Sequence, residues 1–159
     1  MSYYGYGSPD EVKETIVRVC SRFHTPDLRV NLISGIIAVE TQFGTYPDRS
    51  VGSGIGIMQF DPIAFEDVKI NTNRIYKELV WREFDINIDL VELCCLRYDI
   101  HMNIIFGVLK LLRIPEILPL SIEGEAQYWK KYWNTRKGAG TIQDYLDARK
   151  HWSHLIEGD

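Results

Sequence analysis

The sequence predicts a mainly α-helical protein, and three observations carry that prediction. Helix-start signals, a capping side chain followed by proline or by an acid three positions on, recur at Ser8-Pro9-Asp10-Glu11, at Asp61-Pro62 and at Thr141 with Asp144, and Ser121 supplies a further cap. Apolar residues repeat at helical spacing, as in Val12, Ile16, Val19 and Phe23, and again in Leu28, Leu32 and Ile36. The segment Gly44 to Ile57 breaks this pattern with four glycines and one proline, a composition that supports turns and positive φ but not helix. A chain of 159 residues suits one compact domain that buries roughly two thirds of its unfolded surface.

Taken in order, residues 1–7 are rich in Tyr and Gly and read as a flexible arm before a single domain over 8–159. Ser8 caps the first helix, Pro9 takes its first position and Glu11 completes a capping box. His24 and Thr25 end that helix, and Thr25-Pro26 opens a second one, on which Ile33 and Ile37 fill the stripe beside Leu28, Leu32 and Ile36. Glu40 is the next step of this ladder, in the last turn before Gly44. Val51, Ile55 and Ile57 alternate loosely with Gly and Ser, so Ser50 to Ile57 can form a short β-hairpin; a glycine-rich surface loop fits the same residues. Asn71 to Phe84 reads as an amphipathic helix with Ile75, Leu79 and either Val80 or Trp81 inward. Leu90 to Leu112 is the most apolar segment and predicts a central helix with a break near Arg97-Tyr98-Asp99. Tyr128, Trp129, Tyr132 and Trp133 then form an aromatic concentration that is either a core stripe or the wall of a site, and Ile142, Tyr145, Leu146 and Trp152 supply the contacts of a last helix.

Composition excludes several functions. A net charge of −4 lacks the basic footprint of a nucleic-acid-binding protein. No run approaches the roughly 18 apolar residues of a membrane span. The beginning MSYYGYGSPDEV has neither a basic region nor an apolar core, so no secretory leader is expected and synthesis in a cytoplasm is. Cys20, Cys94 and Cys95 are odd in number, with two adjacent, which argues against a disulfide framework and for small buried residues with reduced thiols. His24 reads as a helix end, and His151 and His154, three apart without a third ligand, as surface residues, so no metal is expected. Lys137-Gly138-Ala139-Gly140-Thr141 lacks the remaining residues of a phosphate loop, and no organic cofactor is expected.

Glu40 carries the chemistry. A carboxylate on the buried stripe of its own helix loses solvation, and the negative end of the helix dipole also disfavours its ionisation. Both effects favour the protonated form that a general acid requires.

Glu40, the glycine crossing and Gly56-Ile57-Met58-Gln59 together resemble the lysozyme-like superfamily of peptidoglycan-cleaving enzymes, specifically soluble lytic transglycosylases and goose-type lysozymes, whose signature is a Glu closing a helix and a later Gly-Leu-Met-Gln. Glu40 and Gln59 lie 59 − 40 = 19 positions apart, close to the family spacing. Glu40-Thr41 stands where transglycosylases usually have Glu-Ser. Asp99, Asn103-Ile104 and Gly107 are similar to a later transglycosylase segment, with Asn103 structural or cleft-lining and Gly107 allowing two helices to approach. Tyr132-Trp133-Asn134-Thr135 before Gly138 resembles the Ala-Tyr-Asn-Ala-Gly segment that faces the acid, so either Tyr132 or Trp133 supplies a ring near Glu40. Asp61, shortly after Met-Gln, and Asp48, followed by Arg49, match second acids of goose-type enzymes; Asp61 fits a helix cap equally.

The resemblance implies a lysozyme-like helical fold with a small β-element flanking a cleft, and cleavage of the β-1,4 bond between N-acetylmuramic acid and N-acetylglucosamine. Glu40, Asp61 and Asp48 are its candidate catalytic residues, and Thr41, Met58, Gln59, Tyr132, Trp133 and Asn134 its candidate substrate-binding residues. It further implies glycan strands of the bacterial wall as partner, together with delivery by lysis or by a bacteriophage particle and its other virion proteins. A non-catalytic glycan-binding module of the same fold is the rival expectation.

Overall fold

The computed structural model describes residues 3–24, 27–47, 54–135 and 138–158, with the side chains of the second helix described from residue 30 onward. Thr25, Pro26, Asp48 and Ser50 to Ser53, on which expectations above rest, lie outside the described residues. The fold is mainly helical, running α1 (Pro9–Arg22), α2 (Asp27–Thr41), α3 (Pro62–Asn71), α4 (Arg74–Phe84), α5 (Cys95–Tyr98), α6 (Ile100–Arg113), α7 (Ile122–Trp129), α8 (Ile142–His151) and α9 (Ser153–Ile156). Among the described residues a 3-10 turn, Ile88–Leu90, precedes α5, and a π-turn, Lys130–Asn134, continues α7. No described helix is long and apolar enough to cross a membrane.

Two helices make the centre. α2 is buried without interruption from Leu32 to Val39, and α6 buries Ile100 and every residue from Asn103 to Leu109. α2 lies along α8, α1 lies along α6, and α7 packs on α8. The break before α6 falls at Asp99, which leaves helical geometry (φ −113, ψ 98) and accepts a hydrogen bond from the Met102 N–H as the new N-cap. Asp61, Ser121 and Thr141 cap α3, α7 and α8 as their sequences predict, Thr141 in a reciprocal capping box with Asp144.

Local expectations fail where packing overrides pattern. Residues 3–7 are tied down: Tyr4 and Tyr6 are buried, and the Tyr6 hydroxyl donates to the Phe43 carbonyl at 2.7 Å. Two large rings gain enough from burial to order a short glycine-rich segment. Ser8 accepts from the Glu11 N–H, but the Glu11 carboxylate accepts from Gly7 N–H, so the box closes one residue early. On α4 the inward residues are Tyr76, Leu79 and Val80, while Ile75 and Trp81 are exposed. Of the cysteines only Cys20 is buried; Cys94 and Cys95 are exposed, because the chain around them is a turn and a four-residue helix at the surface. Gly107 makes room for the Met58 thioether and not for a second helix.

Candidate active site

α2 ends by a forced reversal. Gln42 and Phe43 have φ of 51 and 52, and Gly44 has φ of 77. Two consecutive side-chain-bearing residues in the left-handed region cost on the order of 1–2 kcal/mol each. Tertiary contacts hold them there. Phe43 is fully buried with its ring 5.0 Å from that of Trp152, and the Gln42 amide oxygen accepts from the Trp152 indole at 2.8 Å. Thr41, also fully buried, donates to the Ile57 carbonyl at 2.7 Å and accepts from Gly44 N–H at 3.1 Å. The helix end is thereby bonded to the glycine crossing.

The crossing re-enters the described residues at Gly54 and makes a tight turn closed by the Ile55–Phe60 antiparallel bridge, with N–H···O distances of 3.0 and 2.9 Å. Gly56 (φ 76) leaves no room for a Cβ beside the Leu96 carbonyl and the Asn103 amide. Asn103 is wholly buried and fully used. Its amide group donates to the carbonyls of Ile55 and Leu96, both at 3.0 Å, and its oxygen accepts from the Met58 N–H at 3.2 Å. A buried amide satisfied in this way holds one register, since losing any partner leaves a desolvated polar group.

Glu40 is half-buried at the point these elements surround. The Trp129 indole N–H donates to Glu40 Oε1 at 2.9 Å. Indole is a donor only, so Glu40 Oε1 is the acceptor of this bond. A cavity of about 540 Å³ lies to one side, lined by Gln42, Trp129, Asp144, Asp147 and His151. A smaller one of about 240 Å³ lies to the other, lined by Gln59, Asp61 and Trp133. Glu40, Asn134 and Ala139 line both. The two cavities therefore adjoin, with Glu40 in the wall they share, and are the two arms of the candidate groove.

Of the residues nominated from sequence, Glu40, Gln59, Asp61, Trp133 and Asn134 line this groove. Asp61 also caps α3, its Oδ1 accepting from Ile63 N–H at 2.7 Å and Ala64 N–H at 3.4 Å. Met58 and Thr41 are wholly buried and do not reach the groove; both are spent on joining the crossing to α2 and α6. Tyr132 lines neither arm and packs its ring 4.8 Å from that of Tyr128. Asp48 lies outside the described residues.

Three residues were missed. Trp129, rather than Tyr132 or Trp133, meets Glu40, because the π-turn at Lys130–Asn134 changes the angular step and swings Trp133 away to donate to the Met58 carbonyl at 3.0 Å. Lys130 donates to Asn134 Oδ1, Gly138 O and Gly140 O at 2.7, 3.0 and 2.6 Å, fastening the wall shared by both arms. The Lys110 ammonium lies 3.9 Å from the Trp133 ring centre. Burial pushes its pKa down to about 8 against the opposing pull of Asp61, Glu40 and Asp67. Only Trp129 left a trace in the sequence, as part of the aromatic concentration; a lysine on an apolar helix carries no signal of its own.

Compared with models of protein families, with curated proteins and with solved structures, the chain matches none.

Proposed function

We propose that the protein cleaves the glycan strands of peptidoglycan, with Glu40 as general acid and then base. The observation that carries this reading is the position of Glu40 at the junction of two arms of one groove, where a polymer lying along both arms brings an internal bond to the carboxyl. Glu40 donates its proton to the glycosidic oxygen while an oxocarbenium-like sugar develops. Trp129 keeps Oε1 oriented through the exchange.

Two routes follow. In a lytic transglycosylase the deprotonated Glu40 removes the proton of the muramic acid C6 hydroxyl, which closes a 1,6-anhydro ring without a second carboxylate. In a muramidase, water attacks, positioned by Asp61 in the smaller arm. The cap bonds on Asp61 Oδ1 favour the first route, since they give that residue a structural task that needs no chemistry. The reading carries with it a lysozyme-like fold, the Ile55–Phe60 bridge as remnant of its β-element, and delivery to the bacterial wall at lysis or on a virion.

Purified peptidoglycan incubated with the protein and analysed by mass spectrometry tests this. Soluble fragments ending in anhydro sugar are expected, and Asp61→Asn retains most activity because Asn caps nearly as well as Asp. Reducing ends that take oxygen from labelled water, together with an inactive Asp61→Asn, establish the muramidase instead. Binding without release of fragments leaves only a glycan-binding module.

A further inference from the structure

Cys94 and Cys95 are adjacent, exposed, and separate from the groove's lining. Cys94 (φ −61, ψ −24) is the residue before α5, and its Sγ lies 3.7 Å from Glu92 Oε2. Desolvation, the Cys95 thiol and the Glu92 carboxylate hold the Cys94 thiol above its ordinary pKa, so attack by the Cys94 thiolate becomes faster as pH rises. The third cysteine, Cys20, is buried in the core.

α5 is more than a surface turn. Its Leu96 side chain is wholly buried, and the Leu96 carbonyl accepts one of the two hydrogen bonds of the Asn103 amide group. The other goes to Ile55, and the Asn103 oxygen holds Met58 N–H. The backbone of Cys94 to Leu96 is thus two bonds from the glycine crossing. The turn itself is held by single backbone bonds, Cys95 N–H to Glu92 O at 3.0 Å and Arg97 N–H to Cys94 O at 3.2 Å.

We propose that Cys94 and Cys95 form a vicinal dithiol that a low-molecular-weight disulfide oxidises to an intrachain disulfide, and that closing this ring loosens the Leu96–Asn103–Met58 connection beside the groove. One thiolate of the pair attacks a sulfur of the small disulfide, giving a mixed disulfide and releasing one small thiolate. The second protein thiolate attacks the protein sulfur of that bond and expels the other. Two cysteine thiols are oxidised, one disulfide is reduced to two thiols, and the two cysteine protons pass to the departing thiolates. Consecutive residues of a helix do not face each other. Their Cα atoms stand about 3.8 Å apart across a trans peptide, short of the roughly 4.4–6.8 Å of ordinary disulfides. Ring closure therefore takes Cys94 and Cys95 out of helical geometry, and a helix of four residues has few bonds with which to resist. The strain makes the bond readily reducible, so the change is reversible.

The test uses the whole protein and oxidised glutathione as the probe, independently of any activity on peptidoglycan. Mass spectrometry is expected to show loss of two hydrogens from the peptide holding residues 94 and 95, an unmodified Cys20, and full reversal by dithiothreitol. Cys95→Ser, at an exposed position, is expected to stop at the glutathione adduct. Hydrogen exchange at the Met58 amide is expected to rise about tenfold in the oxidised wild-type protein and to stay at its reduced value in the oxidised variant. Stable glutathione adducts on the wild-type pair, covalent dimers in place of the ring, or a Met58 amide whose exchange ignores oxidation would each overturn the proposal.

Discussion

Glu40 and Glu125 are both carboxylates set among aromatic rings, and α7 serves both: Glu125 belongs to it, and Trp129, one turn further on, donates to Glu40. Glu125 is 3 % exposed, and its Oε2 accepts from Arg149 Nε at 3.0 Å and from the Tyr145 hydroxyl at 3.1 Å. Arg149, 2 % exposed, also stands 3.2 Å from Glu157. A guanidinium at that distance pairs with Glu125 and closes it off from solvent. Glu40 meets a neutral indole and opens onto a groove. Burial alone does not tell the two carboxylates apart; the partner and the open side do.

The sharpest break of this comparison is Glu40→Gln. Cell-wall clearance is expected to fall by roughly 10²–10⁴-fold, the range of a lost general acid, while circular dichroism and the melting temperature stay close to wild type. Clearance above a few per cent of wild type would remove Glu40 from the mechanism. The counterpart is Arg149→Met, which strands Glu125 in the core and is expected to cost about 3–5 kcal/mol in urea unfolding. Adding Glu125→Gln to that variant recovers part of the loss, because the uncompensated charge is gone. If Arg149→Met is neutral, the pair is not the structural carboxylate site described here.

Trp129→Phe keeps a ring and removes the donor to Glu40. A bond to a charged acceptor is worth about 1.5–3 kcal/mol, so a turnover loss of roughly ten- to a hundredfold is expected, larger than any change in substrate affinity. Equal activity would make the indole a packing group only.

The smallest effect is in pH. The Lys110 pKa is lowered from 10.5 to about 8, so between those values the unfolded chain holds more of this proton than the folded one, and stability from this group rises as pH increases through that window. Tyr6 works in the opposite sense: its pKa is raised from 10.0 to about 12, by burial first and the Glu11 charge second, and its contribution is lost as pH climbs through that range. Tyr145, raised by burial and Glu125, adds to the decline. Stability is expected to pass through a maximum near the crossing of these windows. Lys110→Met flattens the rise on its acid side, measured as denaturation midpoints across a pH series, and an unchanged profile would show that Lys110 keeps its ordinary proton affinity.

The chain by itself determined much of the helical frame. Ser8, Asp61, Ser121 and Thr141 start the helices their spacing predicts, Asp99 breaks the apolar segment where expected, and Glu40 falls in the last turn of α2. Capping and periodicity act among residues within about four positions, so one sequence carries them in full. The neighbours of Glu40 were decided elsewhere. Its indole partner is 89 positions away, beyond a loop and on a helix that continues as the π-turn carrying Trp133. Thr41 and Met58 stand beside the acid and the glutamine in the chain, yet packing sends both into the core, and two tyrosines of an apparent arm follow them. Such choices depend on which surfaces of distant helices meet and in what register, and that is set by the sum of many weak contacts across the fold, to which a local pattern contributes only its own face.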